Sequence, residues 1–282
     1  MNSKVRRGTP LCFSAILALT VAVALCATAR ADSISSGTDY FQTQPGTFFN
    51  FGLPIGVVDF RGVPIGPGST DTIVQRLNEP TLTPGGAAAP VNTLLTNLSL
   101  ESTAPVSLGP DSYDLLVTLD PNNLANDTGT LQVSLNTAGT GGTFTSFLDV
   151  YFEVTFQQVG GPTNPISPSY GYLALTSANP TDWSTTPPTA SSAWLVYGPD
   201  DGSAADQAAN VHTGLDPGEL DFWPGVNPSN GQVVPIIEAH SIANHIVDPT
   251  PVPEPTSLLL LAPASLGLGI LARKRLLPWA SK

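Results

Sequence analysis

Alternating apolar and polar residues are the main pattern in the middle of this chain. In residues 144–156 apolar side chains occupy every second position, apart from Ser146, and the positions between them are mostly polar. Residues 113–119 and 131–135 repeat the pattern. A period of two residues is typical of a strand with one buried face. These runs predict three successive antiparallel strands, because turn-forming residues separate them at residues 120–123 and 139–142.

Seven shorter runs alternate more weakly: residues 47–51, 57–60, 72–77, 94–100, 170–175, 193–197 and 233–238. The chain has 26 glycines and 28 prolines among 282 residues, a composition that disfavours long helices and supplies turns. Ten short strands predict an all-β fold, a single antiparallel β-sandwich with jelly-roll-like or Greek-key connections. We place this domain at residues 32–245, followed by a proline-rich stalk at residues 246–255.

Charge is distributed very unevenly along the chain. Residues 32–252 contain 21 acidic side chains, no lysine, and only two arginines, Arg61 and Arg76, which gives a formal charge of −19. A domain of this charge repels nucleic acid and anionic lipid, so neither is expected as its partner. The excess of carboxylates is compatible with a solvated acidic surface, or with weak binding of a divalent cation outside the cell.

The first 31 residues have the three parts of an export signal. Residues 1–7 carry three positive side chains, residues 11–25 are apolar, and Ala29 and Ala31 are small residues at a cleavage position. We expect signal peptidase to cut after Ala31. A lipoprotein signal at Cys26 and an uncleaved anchor are the alternatives. A bulky leucine before that cysteine disfavours the first, and the shortness of the apolar run disfavours the second.

The last thirty residues have a second three-part pattern. The motif Pro-Glu-Pro at residues 253–255 precedes an uncharged apolar run at residues 256–272, and a basic tail at residues 273–282 begins with Arg-Lys-Arg. A helix over this run is just long enough to cross a bilayer. Because basic clusters stay on the cytoplasmic side, the domain between the two apolar segments is expected outside the cytoplasm.

This end of the chain resembles the PEP-CTERM sorting signal of exported bacterial proteins. The resemblance implies processing by exosortase, a membrane peptidase that releases the domain outward from a precursor held in the inner membrane. It also implies an association with exopolysaccharide, biofilm or floc formation. The resemblance implies that Pro253, Glu254 and Pro255 are the recognition residues and that the apolar run anchors the precursor in the membrane. It also implies that Arg273, Lys274 and Arg275 are the stop-transfer residues. The alternative is a tail-anchored protein in which Pro-Glu-Pro occurs by coincidence.

No motif of an enzyme occurs in the chain, whether a nucleophile elbow, a phosphate-binding loop or a zinc-protease helix. Both cysteines lie in the export signal, which excludes a disulfide framework or a thiolate metal site in the domain. Glu238 and His240 share one face of a predicted strand, whereas His245 would point to the other face if that strand continued. A zinc site is therefore disfavoured, since zinc requires three or four protein ligands.

Two groups of residues are candidates for ligand binding. Asp200, Asp201 and Asp206 lie in the densest cluster of carboxylates, which is either a calcium loop or a plain acidic loop. Several aromatic residues could stack on sugars or could be part of the core: Trp183, Trp194, Trp223, Tyr170 and Tyr172.

These observations favour a non-enzymatic surface or matrix protein, found in the periplasm, on the cell surface or outside the cell, and associated with exopolysaccharide. The alternative is an extracellular carbohydrate-binding module, which either binds calcium or has no cofactor. A secreted hydrolase is a third hypothesis, for which no nucleophile or metal site is recognisable.

Overall fold

The structure, a computed structural model, describes residues 32–34, 36–65, 69–161, 166–189 and 219–249. Regular structure in these ranges consists of strands and one 3-10 turn, Leu124–Asn126, with no α-helix. The predicted all-β fold is therefore confirmed. None of the described ranges contains a helix long and apolar enough to cross a bilayer. The predicted export signal, membrane helix and basic tail lie outside the described residues.

The strands are numbered here in chain order. They are β1 (Asp32–Ile34), β2 (Gly37–Thr43), β3 (Phe48–Asn50), β4 (Val57–Gly62), β5 (Thr72–Arg76), β6 (Thr81–Leu82), β7 (Ala89–Ser102), β8 (Val106–Leu108), β9 (Asp111–Leu119), β10 (Thr128–Leu135), β11 (Gly141–Gln158), β12 (Ser169–Ser177), β13 (Thr181–Ser184), β14 (Glu219–Leu220), β15 (Trp223–Pro224), β16 (Ile236–His240) and β17 (Ala243–Pro249).

Most of these strands form one large antiparallel sheet, paired in the order β15-β13-β11-β12-β16-β17-β2-β5-β7-β4-β3. β9 and β10 each pair with both β7 and β11, so each of them joins these two strands by hydrogen bonds. A separate small sheet, β14-β1-β6, includes the parallel pair β1 and β14. The two longest strands, β7 and β11, thus organise the described fold.

Apolar side chains on the inner faces form two core clusters. The first lies among β4, β7, β9, β11 and β12, and includes Phe60, Leu100, Val117, Phe152 and Leu175. The second includes Phe41, Val133, Phe144, Trp183 and Phe222. β11 contributes to both clusters, because its even-numbered side chains are buried along most of its length.

The three clearest alternating runs are confirmed as β9, β10 and β11. Their pairing differs from a simple succession, because β9 and β10 both pair with β11, near its two ends, rather than with each other. Residues 246–249, assigned above to a stalk, are part of β17. The run at residues 233–238 is shifted, since the strand there is Ile236–His240. The predicted strand at residues 193–197 lies outside the described residues.

Trp183 is the largest fully buried side chain of the second cluster, which makes it a direct test of this core. Its indole N–H donates to the carbonyl of Ser134 at 3.0 Å, and its ring centroid lies 5.1 Å from that of Phe222. We expect Trp183→Ala to lower the free energy of unfolding by about 3–5 kcal/mol, because it leaves a cavity. Trp183→Phe should cost less, since it keeps most of the packing. The measurement is urea denaturation, and the control is Val57→Ala, which changes an exposed side chain. A Trp183→Ala variant as stable as this control would contradict the described core.

Candidate functional site

Most residues predicted as functional from the sequence lie outside the described part of the chain. These are the processing and sorting residues and the candidate calcium ligands: Ala29, Ala31, Pro253, Glu254, Pro255, Arg273, Lys274, Arg275, Asp200, Asp201 and Asp206. Within the described ranges, no group of three or more histidine, cysteine or carboxylate side chains is arranged to hold a metal ion.

The candidate aromatic residues separate into buried and exposed ones. Trp183 and Trp223 are fully buried, so the hypothesis that they stack on sugars is wrong, and they belong to the core. Trp194 lies outside the described residues. Tyr170 and Tyr172 are exposed by 57% and 51%, which leaves their rings open to a ligand.

An aromatic surface forms where β12 pairs with β11. Tyr172 lies directly opposite Tyr151, and Tyr170 directly opposite Glu153. The rings of Tyr151 and Tyr172 have centroids 4.8 Å apart and planes inclined at 40°. All of these side chains point outward, because the alternate residues Val150, Phe152 and Val154 are buried. We call Tyr151, Tyr170, Tyr172, Asp149 and Glu153 the tyrosine surface.

Two carboxylates lie on β11 at either side of Tyr151. The hydroxyl of Tyr172 donates to Oδ1 of Asp149 at 2.5 Å, and this hydrogen bond raises the pKa of Tyr172 above its usual value. The hydrogen bond to Asp149 also orients the side chain of Tyr172. Asp149 and Glu153 are four residues apart, a separation of roughly 13 Å along an extended strand. A short oligosaccharide would fit along this length.

The outer edge of β12 adds backbone groups to this surface. β12 pairs with β16 only at Thr176 and Ser177, and residues 169–175 have no second partner strand within the described ranges. An open strand edge presents unpaired N–H and C=O groups. Such groups suit the hydroxyls of a sugar, and they lie beside Tyr170 and Tyr172.

A second group of polar residues is inside the fold. Thr43 donates its hydroxyl to Asp71 at 2.6 Å and its backbone N–H to the same carboxylate at 2.8 Å, and the hydroxyl of Thr72 donates to it at 2.9 Å. Nε2 of His245 lies 3.2 Å from the Thr43 hydroxyl and 3.4 Å from that of Thr72. Since both hydroxyls donate to Asp71, their oxygens accept from the imidazole. We call these four residues the inner polar cluster.

The imidazole of His245 lies between two small cavities. One, of about 60 Å³, is lined almost entirely by apolar side chains of the first core cluster. The other, of about 40 Å³, is also lined by the polar residues Asp39, Glu238 and Ser146. The hydroxyl oxygen of Ser146 is buried and has no hydrogen-bond partner among the described residues.

Burial shifts the titration of these interior groups. It raises the pKa of Asp39 to about 6, although the guanidinium of Arg76, 3.1 Å away, opposes the rise. It also raises the pKa of Glu238 and lowers the pKa of His245 to about 4. At neutral pH His245 is therefore neutral, as expected for the donor in the inner polar cluster. The cluster joins β2, β5 and β17 by hydrogen bonds, so its polar residues have a structural role.

The position of His245 corrects the expectation from the sequence. β16 ends at His240, and β17 returns antiparallel after a two-residue turn, which places His245 directly opposite Glu238. The two side chains share a face, and His240 is exposed. The sequence alone does not identify Tyr151, Asp149 and Glu153 as members of a site. Their alternation along β11 was visible, but the register that sets them beside Tyr170 and Tyr172 was not.

The pKa of His245 predicts a dependence of stability on pH. Between 6.5 and about 4 the unfolded chain binds a proton at this residue that the folded chain excludes. The contribution of His245 is therefore complete above pH 6.5 and is lost as the pH falls towards 4. His245→Gln should reduce this loss, by up to about 3 kcal/mol.

The measurement is the free energy of unfolding in urea across this pH range, with His240→Gln as the exposed control. Asp39, Asp71 and Glu238, whose pKa values are raised by burial, act in the opposite direction in the native chain and in both variants. The difference between the native and His245→Gln curves thus isolates the imidazole, and a difference that does not change with pH would contradict its burial as the neutral form.

The chain matches no protein-family model, and comparisons with curated proteins and with solved structures find no match for it.

Proposed function

We propose that this chain is an exported, non-enzymatic protein that binds exopolysaccharide through its tyrosine surface. The proposal joins two hypotheses from the sequence, a surface or matrix protein and a carbohydrate-binding module. The observation that carries it is the pair of outward rings of Tyr151 and Tyr172, fixed by strand register and by the hydrogen bond to Asp149.

Aromatic rings of this kind suit a carbohydrate ligand for a physical reason. The C–H groups of a sugar ring pack against the face of an aromatic ring, and its hydroxyls bond to carboxylates and backbone groups at the rim. The tyrosine surface and the open edge of β12 offer both kinds of group. Tyr170 extends the aromatic area along the strand, so that a chain of sugars, rather than a single ring, is the natural ligand.

The scaffold that we propose is a β-sandwich with jelly-roll-like or Greek-key connections over residues 32–245. It is supported by the long antiparallel ladders and by the apolar inner faces of β7, β9, β11 and β12. Such a scaffold binds ligands on an outer face without opening its core. In the calcium-dependent form of the proposal, Asp200, Asp201 and Asp206 bind a calcium ion that aids polysaccharide binding, and a chelator would remove this ion.

Delivery to the polysaccharide is proposed from the two ends of the sequence. Signal peptidase would cut after Ala31, and exosortase would recognise Pro253, Glu254 and Pro255. The precursor would be held in the inner membrane until the mature form is released to the periplasm, the cell surface or the medium. The net charge of residues 32–252 supports partners other than nucleic acid.

Binding is tested on an array of neutral, amino-containing and uronic-acid oligosaccharides, using the full chain in mild detergent. We expect the double variant Tyr151→Ala, Tyr172→Ala to lose about tenfold or more in affinity, because each aromatic contact contributes on the order of 1 kcal/mol. Val57→Ala, which removes an exposed side chain of β4, is the control. Repeating the array with a chelator shows whether binding depends on calcium, because the chelator removes the ion. Binding that is unaffected by loss of both rings would overturn the proposed site.

Processing is tested by mass spectrometry of the intact cell-associated and secreted forms. The expected mature chain begins at Asp32 and ends near residues 253–255. Glu254→Ala should accumulate as a longer, membrane-held precursor, because the recognition motif is changed. A mature secreted product that still ends at Lys282 would contradict the sorting hypothesis, while leaving the binding result unaffected.

A further inference from the structure

The tyrosine surface carries negative charge at both of its ends. Asp149 and Glu153 flank Tyr151 on β11, and Glu153 also lies opposite Tyr170 on β12. Both carboxylates are partly exposed. A ligand that covers the rings therefore comes close to two carboxylates, one towards each end of the aromatic area.

No positive side chain of the described residues balances this charge. Those residues contain two cationic side chains, Arg61 and Arg76. Arg61 is bonded to Glu101 at 2.7 Å, and Arg76 is buried beside Asp39. The potential over the surface is therefore negative, and the domain as a whole adds to it with its formal charge of −19 over residues 32–252.

From this charge complementarity we propose that the tyrosine surface selects a polysaccharide that carries protonated amino groups, such as a chain of glucosamine units. The inference rests on the proposed function, and it names the class of sugar that the site prefers. An ammonium group is attracted both to a carboxylate and to the face of an aromatic ring, and the surface presents the two side by side.

Other classes of polysaccharide fit the surface less well. A chain with uronate, sulfate or phosphate groups would bring like charges together at Asp149 and Glu153, which costs affinity. A neutral chain would gain the ring contacts but nothing from the carboxylates. Glu153 is the cleaner of the two for a test, because Asp149 also orients Tyr172 through the hydroxyl hydrogen bond.

The test compares oligosaccharides of equal length: glucosamine units, their N-acetylated form, and uronic-acid units. Affinities are measured by titration calorimetry with the full chain in mild detergent, at a mildly acidic pH that keeps the amino groups charged. We expect the affinity to be highest for the glucosamine chain, lower for its N-acetylated form and lowest for the uronic-acid chain. We also expect the preference for glucosamine over its N-acetylated form to weaken from about 0.05 M to about 1 M salt, since salt screens exposed charges.

Glu153→Gln should lower the affinity for the glucosamine chain by about two- to fivefold and leave that for the N-acetylated chain unchanged, as one exposed ion pair contributes about 0.2–1 kcal/mol. The double variant Asp149→Asn, Glu153→Gln should lower it further. Asp59→Asn, which removes an exposed carboxylate of β4, is the matched control and should have no effect.

Each outcome separates the two levels of the inference. Equal, tyrosine-dependent binding of the charged and acetylated chains would overturn the preference for amino groups and leave the proposed function intact. If Asp59→Asn weakens glucosamine binding as much as Glu153→Gln does, the proposed site is overturned. The negative potential of the whole domain would then be sufficient to attract the amino groups. Absence of tyrosine-dependent binding to all three chains would overturn the proposed function itself.

Discussion

The burial of one face of β11 is the constraint on which the rest of the structure depends. Its even-numbered side chains fill both core clusters, with Phe144 in one and Phe152 in the other. Because side chains of a strand alternate, this burial forces Asp149, Tyr151 and Glu153 to the outside. The outward surface is therefore fixed by the same packing that stabilises the fold, and a slip of one residue would exchange the two faces.

The inner polar cluster shows how the fold accommodates polar residues in strands that face the core. A carboxylate inside a protein is costly unless it is hydrogen-bonded, and Asp71 receives three bonds from Thr43 and Thr72. Asp39 is paired with Arg76, whose guanidinium also lies 5.2 Å from the ring centroid of Phe222. Both groups join β2 to β5, so specific polar contacts define this pairing in addition to apolar packing.

The sequence predicted the fold class and the strands with clean alternation, because a period of two residues is visible without knowledge of any partner. β2 and β17 were not predicted, because Asp39 and His245 interrupt their apolar pattern. Asp39 is buried and His245 is half-buried, and the positions of both are explained only by partners distant in the chain. The tyrosine surface depends on register between β11 and β12, which composition does not specify. Its members were visible as residues, but their proximity was not.

The pairing of β11 with β12 also has a mechanical consequence. Eight residue pairs join the two strands, from Phe147 with Thr176 to Val154 with Ser169. A polymer attached at Tyr172 and pulled along the strand direction would load these pairs in shear, so that many backbone hydrogen bonds share the force instead of breaking in turn. A force applied to this surface along the strands would thus be distributed over β11, the longest strand of the described residues.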